Sequence, residues 1–199
     1  MKRSSLFFLL ISAIAFQAFA QMTLPPSGNN QKSEVTQNLG LVKVTIAYSS
    51  PDVAGREIWG KVVPYGLTNL NFGKSNDQNP SPWRAGANEN TLITFSHPVE
   101  VEGKPIKSGT YGLQMIPGKE EWTIIFSSNT YSWGSYAYVP SEDVLRVNVK
   151  PIACEFNEWL TYDFTDRLQN SATARLKWEK LAVPFKISSV RSSSTRRKP

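Results

Sequence analysis

The chain contains one cysteine, Cys154, and one histidine, His97, in 199 residues. A single cysteine excludes an intrachain disulfide, and a domain of this size reaches stability without one. Ile152, Ala153 and Phe156 surround Cys154 with apolar neighbours, which predicts a buried, inert thiol. A single histidine excludes a His-rich metal site. His97 precedes Pro98 at the end of a predicted strand, where a surface or hydrogen-bonded role suits it. Ser-His-Asp chemistry has only that histidine to use, and no G-x-S-x-G segment accompanies it. There is no G-x-x-x-x-G-K phosphate loop and no other cofactor signature. No segment beyond the first twenty residues is apolar and long enough to span a membrane as a helix.

Basic character is scarcer than the formal net charge of +6 suggests. Lys2 and Arg3 lie at the amino terminus, and Arg191, Arg196, Arg197 and Lys198 lie in a Ser-rich tail. Setting these six aside brings the basic count down to the 16 acidic residues. The part between the ends therefore lacks the positive bias that recruits nucleic acid.

The amino terminus reads as an export signal. Lys2 and Arg3 form a basic start, Leu6 to Phe16 a short apolar run, and Ala18-Phe19-Ala20 an A-x-A cleavage pattern before Gln21. No cysteine follows that site to take a lipid. The expected organisation is a signal peptide over 1–20, a flexible lead-in over 21–31, one domain over 32–187 and a disordered basic tail over 188–199. A compartment outside the cytoplasm follows, either periplasm or the exterior.

Within 32–187 the dominant period is two. Val42, Val44, Ile46 and Tyr48 fall on one face of their segment, as do Trp122, Ile124 and Phe126. Leu145, Val147 and Val149 alternate with polar residues, and so do Leu160, Tyr162 and Phe164. The same holds for Ala174, Leu176 and Trp178. Such segments bury one side and wet the other. Turn signals separate them at Gly103-Lys104 and Pro117-Gly118-Lys119. Glu179-Lys180 reads as a further hairpin turn before Leu181, Val183, Phe185 and Ile187, and Pro184 marks that last run as an edge strand. Roughly eight to ten short strands and no helical period predict an all-β, single-domain antiparallel β-sandwich.

One long irregular segment, Pro51 to Asn90, interrupts the alternation. It carries Gly55-Arg56-Glu57-Ile58-Trp59-Gly60, Val63-Pro64-Tyr65-Gly66 and Trp83-Arg84-Ala85-Gly86-Ala87-Asn88-Glu89. With Tyr48-Ser49 before Pro51, Gly109-Thr110-Tyr111, Ile116-Pro117-Gly118-Lys119, Trp122 and Trp133-Gly134, these segments resemble an exported bacterial family known as domain of unknown function 2911. The resemblance runs from about Glu34 to Ile187. It implies export and a compact β domain, and it supplies no activity. In the family pattern the Pro-Tyr-Gly segment runs almost directly into Trp-Arg. Here Leu67 to Pro82, rich in Asn, Ser and Pro, intervenes like an insertion.

The candidate site residues are Arg56, Glu57, Trp59, Tyr65, Trp83, Arg84, Asn88 and Glu89. Guanidinium forks match carboxylates and phosphates, and indole and phenol rings offer flat apolar faces with polar tips. Such a set suits a glycan or a small acidic ligand. The structural alternative is that the arginines pair with Glu57 and Glu89 to pin the loop, while Trp59 and Trp83 plug the end of the core. A third reading makes Glu57 and Glu89 a glycosidase pair, which needs carboxyls about 5–9.5 Å apart. Tyr131, Trp133, Tyr136 and Tyr138 form an aromatic run with two open readings, a second binding rim or loop and core packing.

Overall fold

The computed structural model describes residues 30–190. The expected signal peptide, most of the lead-in and all but the first residues of the tail lie outside the described residues. Ten strands form two antiparallel sheets, a β-sandwich. In chain order they are β1 (Gln31–Leu39), β2 (Val42–Ser50), β3 (Leu92–Phe95), β4 (Val99–Val101) and β5 (Lys104–Ile106). There follow β6 (Gly109–Ile116), β7 (Trp122–Ser127), β8 (Asp143–Val149), β9 (Ile152–Thr165) and β10 (Ser171–Ser189). One sheet has the order β1-β2-β3-β6-β7-β8 and the other β5-β4-β10-β9. No described helix is long and apolar enough to cross a membrane.

The alternation in the sequence forms the core as expected. Val44, Ile46, Ile93, Phe95, Leu113, Ile124, Phe126 and Val147 turn inward from the larger sheet. Val99, Val101, Leu160, Leu176, Phe185 and Ile187 meet them from the smaller one. Phe126 and Phe185 touch edge to face across the gap, with centroids 6.4 Å apart. Glu102 and Gly103 both take positive φ in the two-residue turn joining β4 to β5. That geometry matches the right-handed twist of the flanking strands.

The hairpin expected at Glu179-Lys180 is instead the middle of one 19-residue strand, β10. Ala174, Leu176 and Trp178 face inward before this point, and Val183, Phe185 and Ile187 after it. The inward face thus changes from even to odd positions. A turn would produce that change of parity, and so does a local distortion within one strand, because a one-residue offset swaps the faces. Glu179 has φ 55°, and the register with β9 shifts on both sides of it.

Pro184 also departs from its expected place, since β10 is an interior strand. The strand pairs with β9 up to Ala182 and with β4 from Ile187 onward. Pro184 lies in the handover between the two ladders, where its missing N–H breaks neither. Past Ile187, Ser188 and Ser189 pair with Glu100 and Val99, so the strand continues into the stretch assigned to the tail.

Cys154 corrects a third expectation. It is half-buried on the first part of β9, whose neighbours Ile152, Ala153 and Phe156 are exposed. There β9 is an edge strand leaving register with β10, so its apolar residues have no second layer over them.

Candidate functional site

The segment from Pro51 to Thr91 contains no strand longer than an isolated bridge, yet it is closely fixed. Its first part follows β9. Val53 N–H donates to the Glu158 carbonyl at 2.8 Å, and Leu160 N–H donates to the Pro51 carbonyl at 2.8 Å. The excursion of β9 away from β10 is what brings residues 158–160 within reach. A tight turn then returns Val63 N–H to the Ile58 carbonyl at 2.9 Å, and both side chains enter the core. At the far end, Trp83 and Met115 exchange two backbone hydrogen bonds of 2.8 Å. Beyond the short β3, this stretch replaces it as the neighbour of β6.

These constraints gather four of the six tryptophans. Trp59 lies edge-on to Trp83, Trp122 and Trp178, with centroids 6.0, 5.3 and 5.9 Å away. Trp83 and Trp178 are nearly parallel, 6.2 Å apart with 14° between their planes. Each aromatic contact of this kind is worth about 0.5–1.5 kcal/mol beyond buried area. A cleft of about 280 Å³ opens beside the stacked pair. Trp83, Trp178, Val62 and Pro64 give it apolar walls, and Arg56, Arg84 and Asn88 also line it.

Of the eight residues singled out in the sequence, four line this cleft: Arg56, Trp83, Arg84 and Asn88. Arg56 is tied back locally. Its Nη2 donates to the Asp52 carbonyl at 2.6 Å and to Oδ1 of Asp52 at 3.2 Å, and its Nε donates to the Val53 carbonyl at 3.1 Å. Arg84 Nη1 donates to the Asn88 carbonyl at 2.6 Å, and its guanidinium lies 4.6 Å over the Tyr136 ring. Asn88 holds φ 56° and accepts at Oδ1 from Asn30 Nδ2 at 3.2 Å.

The other four lie apart from the cleft. Trp59 sits behind it in the tryptophan cluster. Tyr65 packs over Gly60, where an added Cβ would stand 3.0 Å from the phenol ring. Glu57 is exposed on the turn. Glu89 borders a different depression of about 200 Å³, with Lys32, Ser33, Tyr48 and Asn90. Its carboxylate meets Lys32 Nζ at 3.0 Å and accepts from Ser49 Oγ at 3.2 Å. Burial pushes the Glu89 carboxyl up, but the bonds from Lys32, its own backbone N–H and Ser49 outweigh it and hold it below its ordinary range. The arginines therefore pair with neither Glu57 nor Glu89; their partners are Asp52 and backbone carbonyls.

Sequence reasoning missed part of the cleft. Trp178 read as an ordinary inward position of a strand, and nothing local marks it as reaching the irregular segment. Thr68, Leu70, Ser81 and Pro82 come from the insertion, whose base closes through paired backbone bonds of 2.9 Å between Thr68 and Ser81. The insertion is clasped to the aromatic run. Lys74 N–H donates to the Tyr136 carbonyl at 2.7 Å, and Phe72 packs edge-on to Tyr136 at 4.8 Å. Within that run Tyr138 is buried, Tyr136 lies beneath Arg84, and Tyr131 is 97% exposed. Two wall residues keep a buried polar atom without a hydrogen-bond partner among the described residues, Oγ of Ser81 and Nε1 of Trp178. Among the described residues no cluster of three or more His, Cys, Asp or Glu is placed to hold a metal ion.

No curated protein and no solved structure matches the chain. The family model described as protein of unknown function (DUF2911) matches residues 30–187, which take in both sheets and the cleft. The chain belongs to that family.

Proposed function

We propose that this protein is a non-catalytic binding module of the cell envelope whose small ligand seats in the cleft beside Trp83 and Trp178. The supporting observation is the stacked indole pair at 6.2 Å, lining a cleft of about 280 Å³ with two arginines near it. Small-molecule sites combine mostly apolar walls with a few polar groups in fixed places, in volumes of about 300–1,000 Å³. The cleft, at about 280 Å³, lies just below that range, which suits a single ring or a short chain better than a polymer. The supporting evidence for export is the basic-apolar-A-x-A pattern of the first twenty residues.

A glycosidase reading gains no such support. Glu57 is exposed away from the cleft, and Glu89 is engaged by Lys32 and Ser49 on another face.

Tryptophan fluorescence tests the binding reading. The cluster beside the cleft should report a guest as a change in intensity or emission maximum. A screen of envelope sugars and small organic acids is expected to yield at least one saturable change that Trp83→Ala abolishes. Saturable changes that persist in Trp83→Ala would place binding elsewhere and end the proposal. Intact-mass measurement of the protein recovered from cells tests export, with a mature start at Gln21 expected. A full-length chain retained in the cytoplasm would refute it.

A further inference from the structure

The chemistry of the cleft lining carries more than the presence of a ligand. Among the described residues that line it, none is Asp or Glu, while Arg56 and Arg84 both do. Neither guanidinium is fully engaged. Arg56 uses Nε and Nη2 on Val53 and Asp52 but makes no hydrogen bond through Nη1 to a described residue. Arg84 uses Nη1 on the Asn88 carbonyl, packs its guanidinium on Tyr136 and Gly134, and makes no hydrogen bond through Nη2 to a described residue. Two further polar atoms of lining residues, Oγ of Ser81, which can donate or accept, and Nε1 of Trp178, which only donates, have no hydrogen-bond partner among the described residues and are themselves buried beneath the cleft surface. Both residues are 1% exposed.

This polarity separates two ligand classes. A sugar presents hydroxyls that donate as well as accept, so a site built for one needs acceptors among its polar groups. Here no described lining residue carries a carboxylate, and the side-chain acceptors are neutral ones: the amide oxygens of Asn30 and Asn88, the latter bonded to Asn30, and the hydroxyls of Thr68 and Ser81. A carboxylate only accepts, and a guanidinium binds it through charge-assisted hydrogen bonds. Asp52 occupies one edge of the Arg56 fork without lining the cleft. The apolar part of the lining, Val62, Pro64, Leu70, Trp83 and Trp178, then asks for a hydrophobic body attached to that anion.

We infer that the ligand is a small amphiphilic carboxylate, its apolar ring or chain lying along Trp83 and Trp178 and its anionic end at Arg56 and Arg84. This rests on the cleft being the binding site proposed above, and adds the charge and polarity of what it takes.

The test compares matched probes by calorimetry and tryptophan fluorescence. 3-Phenylpropionate and octanoate are titrated against their neutral primary amides and against the neutral disaccharides cellobiose and chitobiose. The acids are expected to bind at least tenfold more tightly than their amides. Arg56→Gln and Arg84→Gln should remove most of that preference, and Arg84→Lys should restore part of it. Circular dichroism of each variant separates a lost charge from a lost fold. Equal binding of acid and amide, or saturable binding of a disaccharide that Trp83→Ala abolishes while the acids are ignored, would overturn the inference and leave the cleft reading standing. Binding of the acids that survives Trp83→Ala would overturn both.

Discussion

Trp83 and Trp178 stack with ring centroids 6.2 Å apart and planes 14° from parallel, although one belongs to the irregular segment and the other to the longest strand. Their contact joins the two parts of the molecule that sequence periodicity treats separately. Trp178 occupies the last inward position before β10 changes parity at Glu179. Trp83 is held by its two backbone bonds to Met115.

Truncating one anchor should therefore cost fold as well as site. Trp178→Ala is expected to lower unfolding free energy by about 3–5 kcal/mol, the usual range for a buried aromatic. Trp178→Phe should cost clearly less, because it keeps most of the packing and removes the unpartnered Nε1. Urea denaturation of both variants measures the difference. Equal losses would mean that the indole is not packed as described.

Gly134 should resist replacement, because its positive φ and its contact with Arg84 both oppose a side chain. It has φ +57°, and a Cβ there would lie 2.6 Å from Cζ and Nε of Arg84. Gly134→Ala should lose about 1–3 kcal/mol, as overpacking does, and should displace Arg84 from Tyr136. Gly55, at φ +67° with nothing within 4 Å of an added Cβ, is the control. Gly55→Ala should cost only backbone strain, roughly 1 kcal/mol. Thermal melts of the two variants side by side decide it.

Acid sensitivity should trace in part to Asp163. Burial pushes its carboxyl up, but Arg175, bonded at 2.9 and 2.8 Å, and Lys177 at 3.1 Å pull it below its ordinary 3.8. A carboxyl with a depressed folded-state pKa adds stability above its unfolded value and loses it as pH falls through the folded one. Asp163→Asn should thus be less stable than wild type near neutrality by about 1 kcal/mol or less, as partly exposed pairs are. The gap should narrow as pH falls below the ordinary carboxyl value of 3.8 and through the lower folded-state one. Chemical denaturation across that window reads it directly, and a gap that stays constant with pH would exclude the ion pair as its cause.

The alkaline limb should carry the mark of Tyr138. Its phenol is pushed up to about 12, first by burial and then by its bond to Asp143, against the opposing pull of Arg146. A raised folded-state pKa gives stability that is whole below the unfolded value, near 10, and is lost as pH rises through the folded one. Phenolate absorbance of the wild type minus Tyr138→Phe should show one tyrosine titrating about two pH units late. A difference spectrum titrating near 10 would refute the buried Tyr138–Asp143–Arg146 arrangement.

The insertion should be separable from the fold. Replacing residues 69–80 by Asn-Gly keeps the paired base between Thr68 and Ser81, which then serves as a hairpin end. The shortened protein should fold with both sheets intact. Hydrogen exchange should rise across 131–138, where Lys74 and Phe72 no longer hold Tyr136. Unchanged protection there would show that the clasp is not what orders the aromatic run.

Two-residue alternation fixes much of this protein before any coordinates, because a side chain's face in a strand follows from position alone. It made legible the inward faces of β2, β7, β8 and β10, the hairpin at Pro117-Gly118-Lys119 and the all-β sandwich. It also marked the long segment from Pro51 to Asn90 as different, and four of the eight residues chosen there do line the cleft. Local pattern misled where two structures share one signature. A hairpin and a kinked continuous strand both reverse the parity of burial, so Glu179-Lys180 read as a turn. Proline marks a missing donor, which an edge supplies and a handover between ladders supplies equally.

Which residues meet was left to the tertiary structure, since that depends on contacts between distant stretches of chain. Trp178 lines the cleft beside a segment that β9, out of register with β10, holds through backbone bonds at Pro51 and Val53. Glu57 and Glu89 sit in the same irregular segment, yet Glu89 turns to Lys32 on another face and Glu57 to solvent. Residue types along a chain set what chemistry is available and which side of a strand it takes. Only the packing of two sheets and the loop laid across them decides which of those groups share one space.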